Sequence, residues 1–229
     1  LVFKPLADEL KAQLQKSQPV LIELQYGLPD ENIEQQKPTF HFWTTAYDPT
    51  VSLDTYMHLK TFVEKLKDYI VYEPRYKLID GSKFNCNATT NQTDAPCDHL
   101  CSNGGRYCSW HAKDLSGFAV VHETLRRLCI YKANPVQYWD YVLYHKEHCS
   151  APHEYNDPQC LARAYQFGHN NIKSSDVDTC MKESGDVEHD VPNTMLEQAL
   201  VHEQRSGIHT VPAMTVNGHE IPNQFKYLL

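Results

Sequence analysis

The spacing of apolar residues changes several times along the chain, and each change marks an element. PLADELKAQLQKSQ (5–18) reads as a short helix, and PVLIELQYG (19–27) alternates enough to read as a strand. LPDENIEQQKP is a polar connection. TFHFWTT (39–45) is the next strand, apolar at Phe40, Phe42 and Trp43. Beyond it Tyr56, Leu59, Phe62, Val63 and Leu66 recur three to four apart, the face of an amphipathic helix that Asp54 is placed to cap. YIVYEPRYKLID (69–80) predicts a third strand, with Pro74 marking a bulge or a sheet edge.

Residues 81–118 read as loop and hold four cysteines; they are too few for a core of their own, so disulfides would have to hold them. From 119 to 206 the pattern is helical. FAVVHETLRRLCIYKA is amphipathic, PVQYWDYVLYHKEHC opens on a proline, and NDPQCLARAYQFG ends on a glycine. SDVDTCMKESGD reads as a short helix capped by Ser175 or Asp176, and NTMLEQALVHEQRSG runs from an asparagine cap to a glycine stop. IHTVPAMTVNGHEIP then returns to period two, and Asn217-Gly218 is a hairpin turn signal. There is no internal repeat.

The stretch FHFWTTAYDPTVSLDTYMHLKTFVEKL (40–66) resembles the opening of a thioredoxin fold. Where a redox thioredoxin carries Cys-x-x-Cys, this chain carries Tyr47 to Leu53, with no cysteine. The expected fold is α/β and thioredoxin-like, with a large helical insertion and a disulfide-rich loop. In that scheme 1–37 supplies the N-terminal helix and first strand. Residues 38–229 form the thioredoxin-like domain, with 81–118 as its Cys-rich loop and 119–206 as its helical insertion.

A net charge of −8 and the lack of a basic patch argue against a nucleic-acid partner. No apolar run reaches the ~20 residues that span a bilayer. The chain begins on Leu1, so any leader or membrane anchor is expected in segments outside it. Its eight cysteines are Cys86, Cys97, Cys101, Cys108, Cys129, Cys149, Cys160 and Cys180. Sequons at Asn87 and Asn91 follow the first. An even cysteine count beside two glycosylation acceptors points to the secretory-pathway lumen, the endomembrane system or the extracellular space.

Six fragments, in order, carry a family resemblance: CDHLCSNGGRYC (97–108), LRRLCIYKA (125–133), YWDYVLYHKEHC (138–149), CLARAYQFG (160–168), DVDTC (176–180) and IHTVPAMTVNG (208–218). Over roughly 38–223 the chain resembles the thioredoxin-like luminal domain of plant-type vacuolar sorting receptors. The resemblance implies a luminal, disulfide-bonded module among other luminal domains of a single-pass receptor for soluble cargo, with no enzymatic activity. Some members keep a Cys-x-x-Cys-like pair after the first core strand; here Asp48 to Leu53 stand in that place.

Cys97-x3-Cys101-x6-Cys108 admits a disulfide knot or, with His99 and His111 nearby, a zinc site; the sequons and even count favour disulfides. Eight cysteines allow 105 pairings. Local pairing within 86–108 and pairing among the helical-block cysteines are the expectation. Ser52 has no histidine base and reads as a cap. Val211-Pro212 is the counterpart of the cis-proline loop, which in redox thioredoxins accepts an extended peptide and otherwise shapes the fold. Neither HETLR nor HEQRS completes a zincin motif, and no cofactor is expected. Among thirteen histidines, His209 lies two residues before Val211-Pro212. Tyr131, Tyr138, Trp139, Tyr141 and Tyr144 read as helix-core packing. The functional expectation is a protein-binding module for a protein partner or cargo peptide. The alternatives are a subunit of a larger extracellular or organellar assembly and, with the thiols missing, a disulfide oxidoreductase or chaperone.

Overall fold

Thr39–Thr44 forms β1, the strand on which the main sheet is built. Its alternation sorts the side chains onto two faces. Phe40 and Phe42 point to one side, where their rings meet Phe62 at 5.2 Å and Tyr56 at 5.9 Å on helix α1 (Leu53–Leu66). Trp43 points to the other side and packs with Ile208 and Ala213. Burying each such ring contributes about 2–3 kcal/mol. In this computed structural model the described residues are 37–86, 95–110, 115–168, 172–187 and 190–221. The helix and strand expected over 5–27, and Asn87 and Asn91, lie outside them.

The crossover through α1 brings β2 (Val71–Tyr76) back parallel to β1, as parallel pairing requires. β6 (Ala213–Val216) pairs antiparallel on the other side, followed by β7 (His219–Glu220), giving the order β2-β1-β6-β7. Pro74 sits in β2, which has only β1 as a partner among the described strands, so its missing N–H is tolerated there. Asn217 (φ 50°) and Gly218 (φ 80°) make the tight β6–β7 turn with both residues left-handed.

The strand expected over 69–80 is interrupted. It leaves the main sheet after Tyr76, where β1 also ends, and the Lys77 N–H donates to Thr44 O at 2.8 Å. Ile79–Asp80 (β3) then joins a second small sheet with β4 (Cys101–Ser102) and β5 (Tyr107–Cys108), in the order β3-β5-β4. The described residues of 81–118 therefore form short elements in place of the expected loop. They include a 3-10 turn at Gly81–Phe84, a short helix α2 (Ala95–Leu100) and the β4–β5 hairpin. Gly81 is required by close approach, since a Cβ there would fall 1.9 Å from Gly105 O and 2.5 Å from Cys108 Sγ.

The helical block is α3 (Gly117–Ala133), α4 (Pro135–His148), α5 (Pro158–Gln166), α6 (Ser174–Ser184) and α7 (Thr194–Ser206). Asn134, Asp157 and Asn193 cap α4, α5 and α7 through their side chains. Two expected caps differ. Ser52, not Asp54, caps α1, because the helix begins one residue before Asp54 and the Ser52 hydroxyl reaches Thr55 N at 3.1 Å. Helix α6 begins at Ser174, so Ser175 and Asp176 already lie inside it, and Lys173 precedes it without a side-chain cap bond. The five aromatics from Tyr131 to Tyr144 pack into the core, Tyr138, Trp139 and Tyr141 fully and Tyr131 and Tyr144 at its margin.

All eight cysteines are paired: Cys86–Cys97, Cys101–Cys108, Cys129–Cys180 and Cys149–Cys160. The third spans 51 residues and fastens α6 to α3; the fourth spans 11 and fastens α5 to the end of α4. By loop-closure entropy the longer bridge constrains the unfolded chain by about 4 kcal/mol and the shorter by about 3. Converting Cys129 and Cys180 together to alanine is expected to lower Tm by roughly 10 °C in differential scanning calorimetry. The Cys149/Cys160 double alanine variant is expected to lower it less.

Candidate functional site

The end of β1, the loop to α1 and the segment before β6 meet at one end of the sheet. Trp43 pairs with Ala213, so Val211 and Pro212 lie alongside the chain that leaves β1 at Thr44. The Val211-Pro212 peptide is cis. Lys77, at the joint of β2 and β3, donates to the carbonyls of Ile208 (3.4 Å) and His209, which ties the segment leading to this peptide. His209 itself is exposed.

The loop holds an acid where a thiol would stand in a redox relative, and that acid is engaged. Asp48 is buried. Its carboxylate accepts from Thr50 N (2.9 Å), Thr50 Oγ1 (2.6 Å) and Thr44 Oγ1 (3.2 Å). Its carbonyl accepts from Lys146 Nζ on α4 at 2.8 Å. Thr45 Oγ1 donates to Tyr47 O, and the Tyr47 ring meets Tyr155 edge-on at 5.7 Å. The loop is thus a hydrogen-bonded plug that holds no thiol; the Thr44 and Thr50 hydroxyls are committed to Asp48 and the Ser52 hydroxyl to the helix cap.

Beneath it lies an ion cluster that the sequence reading did not single out. Glu123 on α3 is wholly buried. Its Oε1 accepts from Arg127 Nε at 2.8 Å, and its Oε2 accepts from Arg126 Nη1 at 2.5 Å and Tyr141 OH at 3.1 Å. Arg127 Nη2 lies 3.2 Å from His145 Nδ1, and His145 Nε2 lies 3.0 Å from Tyr155 O. An arginine only donates and a carbonyl only accepts. The imidazole is therefore neutral, bare at Nδ1 and protonated at Nε2. The signal in the sequence was a glutamate and an arginine four apart on the apolar stripe of an amphipathic helix, where a charge needs a partner.

Burial works against charge on each of these groups. It lowers His145 to about 4, with Glu123 pulling the other way and Arg127 reinforcing the fall. For Glu123 burial favours the neutral acid, but the positive charges it faces, His145 when protonated and Arg127 and Arg126, outweigh it and bring the carboxyl to about 2. Lys146, which bonds the loop, is held below the usual lysine range by burial and then by the charge of Arg127. The cluster and the loop are one electrostatic unit.

A second polar node docks the Cys-rich hairpin. Arg106 forks onto both oxygens of Glu197 on α7 (2.7 and 3.0 Å) and also bonds Asp80 at 2.5 Å. Asn103 Nδ2 donates to the carbonyls of Asp186 and Val191.

Glu123→Gln would leave two arginines buried without their counter-charge. It is expected to cost about 3–5 kcal/mol in urea denaturation at pH 7, with Cm falling and the m-value retained. The pH profile has a definite sign. His145 titrates near 6.5 unfolded and about 4 folded, so between those values the unfolded chain binds more protons. Its contribution is full above pH 6.5 and is lost as pH falls towards 4, on the order of 3 kcal/mol. His122, lowered to about 4 by burial and Arg126, acts in the same direction, and Glu123 extends the loss from about 4.5 to 2. His145→Gln is expected to flatten, not abolish, the slope of stability between pH 6.5 and 4.

The chain matches the family model described as vacuolar sorting receptor thioredoxin-like domain over residues 39–226. It is 30% identical over 138 residues to vacuolar-sorting receptor 3 of Arabidopsis thaliana and 31% identical over 138 residues to vacuolar-sorting receptor 4 of the same plant. Each alignment takes in 54% of this chain and 21% of the receptor, so the chain spans about a fifth of the curated relatives it matches. A provisionally assigned protein-disulfide isomerase of Pseudomonas syringae aligns in structure with a TM-score of 0.40 and 16% identity, covering 81% of this chain and 85% of that one. With the family match running from β1 through β7 and enclosing all eight cysteines, the chain belongs to the vacuolar sorting receptor thioredoxin-like domain family.

Proposed function

We propose that this chain is a non-enzymatic, luminal protein-binding module that uses a thioredoxin-like framework without the Cys-x-x-Cys of its redox members. One observation carries the reading: the loop after β1 is filled by Asp48, whose carboxylate and carbonyl are fully engaged, while all eight cysteines are in disulfides. A dithiol oxidoreductase needs an accessible, low-pKa thiolate at this position. The disulfides support an oxidising setting, and the relatives' names support a part in sorting. The partner is a protein or an extended cargo peptide. The place for it is the Val211-Pro212 segment, half-buried at the sheet end, where main-chain pairing could add a strand.

Two measurements test this. In an insulin-reduction assay with dithiothreitol, turnover is expected at the uncatalysed rate, and catalysis would overturn the reading. Peptide display against the full chain is expected to select extended peptides. Val211→Asp is expected to weaken their binding by at least about tenfold, roughly 1.4 kcal/mol, while near-UV circular dichroism keeps its native form. Undiminished binding to the folded variant would remove the partner from this segment.

A further inference from the structure

Two of the four bridges lie side by side. The Sγ atoms of Cys86, Cys101 and Cys108 are all within 4.8 Å of one another. They belong to different disulfides, Cys86–Cys97 and Cys101–Cys108, so one sulfur of the first bridge faces both sulfurs of the second. The three are buried together, with Ile79, Leu100 and Cys97 packed around them. Cys97, on α2, is only half-buried. The setting is firmly held. Cys86 N donates to Gly81 O at 3.0 Å, Gly81 abuts Cys108, and Cys101 and Cys108 stand directly opposite across β4–β5.

The other bridges lack this arrangement. Cys149 and Cys160 are both 0% exposed. Cys180 is half-buried like Cys97, but the sulfurs of Cys129 and Cys180 each lie beside the Met195 thioether, at 3.7 and 3.8 Å, and a thioether does not exchange, so an opening there has no second bridge to pass to.

Thiol–disulfide exchange needs a thiolate, access to one sulfur and a second disulfide within reach. We infer that Cys86–Cys97 and Cys101–Cys108 form a disulfide relay, in which an external thiolate opens the accessible bridge at Cys97 and Cys86 passes the opening inward. In the first step a thiolate, from a small thiol or a protein dithiol, attacks Cys97 Sγ. A mixed disulfide forms on Cys97, and the electron pair of the broken S–S bond leaves on Cys86 as a thiolate. In the second step Cys86 Sγ attacks Cys101 or Cys108. A Cys86–Cys101 or Cys86–Cys108 bond forms, and the displaced sulfur leaves as a thiolate and takes a proton from water. Each step consumes one thiolate and one disulfide and makes one of each, so no oxidant is needed. If the attacker carries a second thiol, that thiol resolves the mixed disulfide. The attacker then departs oxidised, and the domain keeps two electrons as two thiols. The inference is independent of the partner-binding reading, because it uses none of the residues around Val211-Pro212.

Cys97→Ser in the full chain tests the second step, since it leaves Cys86 without its partner. Native protein is acid-quenched, alkylated and digested at low pH, and the linked peptides are mapped by mass spectrometry. Cys86 is expected to be joined to Cys101 or Cys108, with the alkyl label lost from Cys86 and found on whichever of those two is displaced. Label on Cys86 beside an intact Cys101–Cys108 bridge would overturn the relay. A parallel measurement uses the wild-type chain, so the test does not depend on how the variant folds. Under limiting glutathione the same rearranged linkage is expected at early times, with a glutathione adduct on Cys97 and Cys149–Cys160 intact, while any opening of Cys129–Cys180 gives adducts without a rearranged linkage. A glutathione adduct on Cys97, label on Cys86 and an unchanged Cys101–Cys108 bridge would overturn it equally.

Discussion

A carboxylate with no exposed surface, held between two arginines, sets the terms for much of this molecule. Glu123 needs Arg126 and Arg127 to remain ionised, and Arg127 needs a neutral His145 beside it. His145 in turn hangs from the Tyr155 carbonyl. These partners come from α3, α4 and the segment between α4 and α5, so the helices cannot shift against one another without breaking a buried charge pair. An apolar core of the same volume would be as stable or more so. What the ion cluster adds is direction: each of its bonds has one acceptable geometry. Lys146 carries that order up to Asp48, and the loop after β1 inherits it.

The same chain holds a thioredoxin-like arrangement in which the loop after β1 carries no cysteine. The parallel β1–α1–β2 unit and the antiparallel β6 meet in a way that places the cis Val211-Pro212 peptide beside the end of β1. Asp48 is a structural acid, with Thr44 and Thr50 as its donors.

The framework was legible because its signals are local and periodic. The alternation around Phe40, Phe42 and Trp43 fixes β1, and Asn217-Gly218 fixes the last hairpin. Proline marks the start of α4, and asparagine that of α7. The missed details are those in which two local signals compete. Ser52 and Asp54 are both good caps, and the serine wins because the helix starts one residue before the aspartate. The stretch 69–80 has one continuous apolar pattern, yet β1 ends at Thr44, Lys77 makes the last bond to it, and Ile79 and Asp80 pair instead in the second sheet. Arg106, Glu197 and Asp80 are charged, far apart in sequence and individually unremarked; only the folded chain brings them together. The same holds for the sulfurs of Cys86 and Cys101, since spacing along a chain says nothing of distance across it.

The bridge pattern also determines what a single backbone break can do. A cut between Cys86 and Cys97, or between Cys101 and Cys108, falls inside a closed covalent ring. A cut between Cys149 and Cys160 falls inside two, because that ring is nested within Cys129–Cys180. Peptidases nicking these segments would generate new termini without shedding a fragment. The damaged chain would stay one covalent body until a reductant reached it, so in a compartment rich in hydrolases its lifetime would be governed by the thiols around it more than by the peptidases.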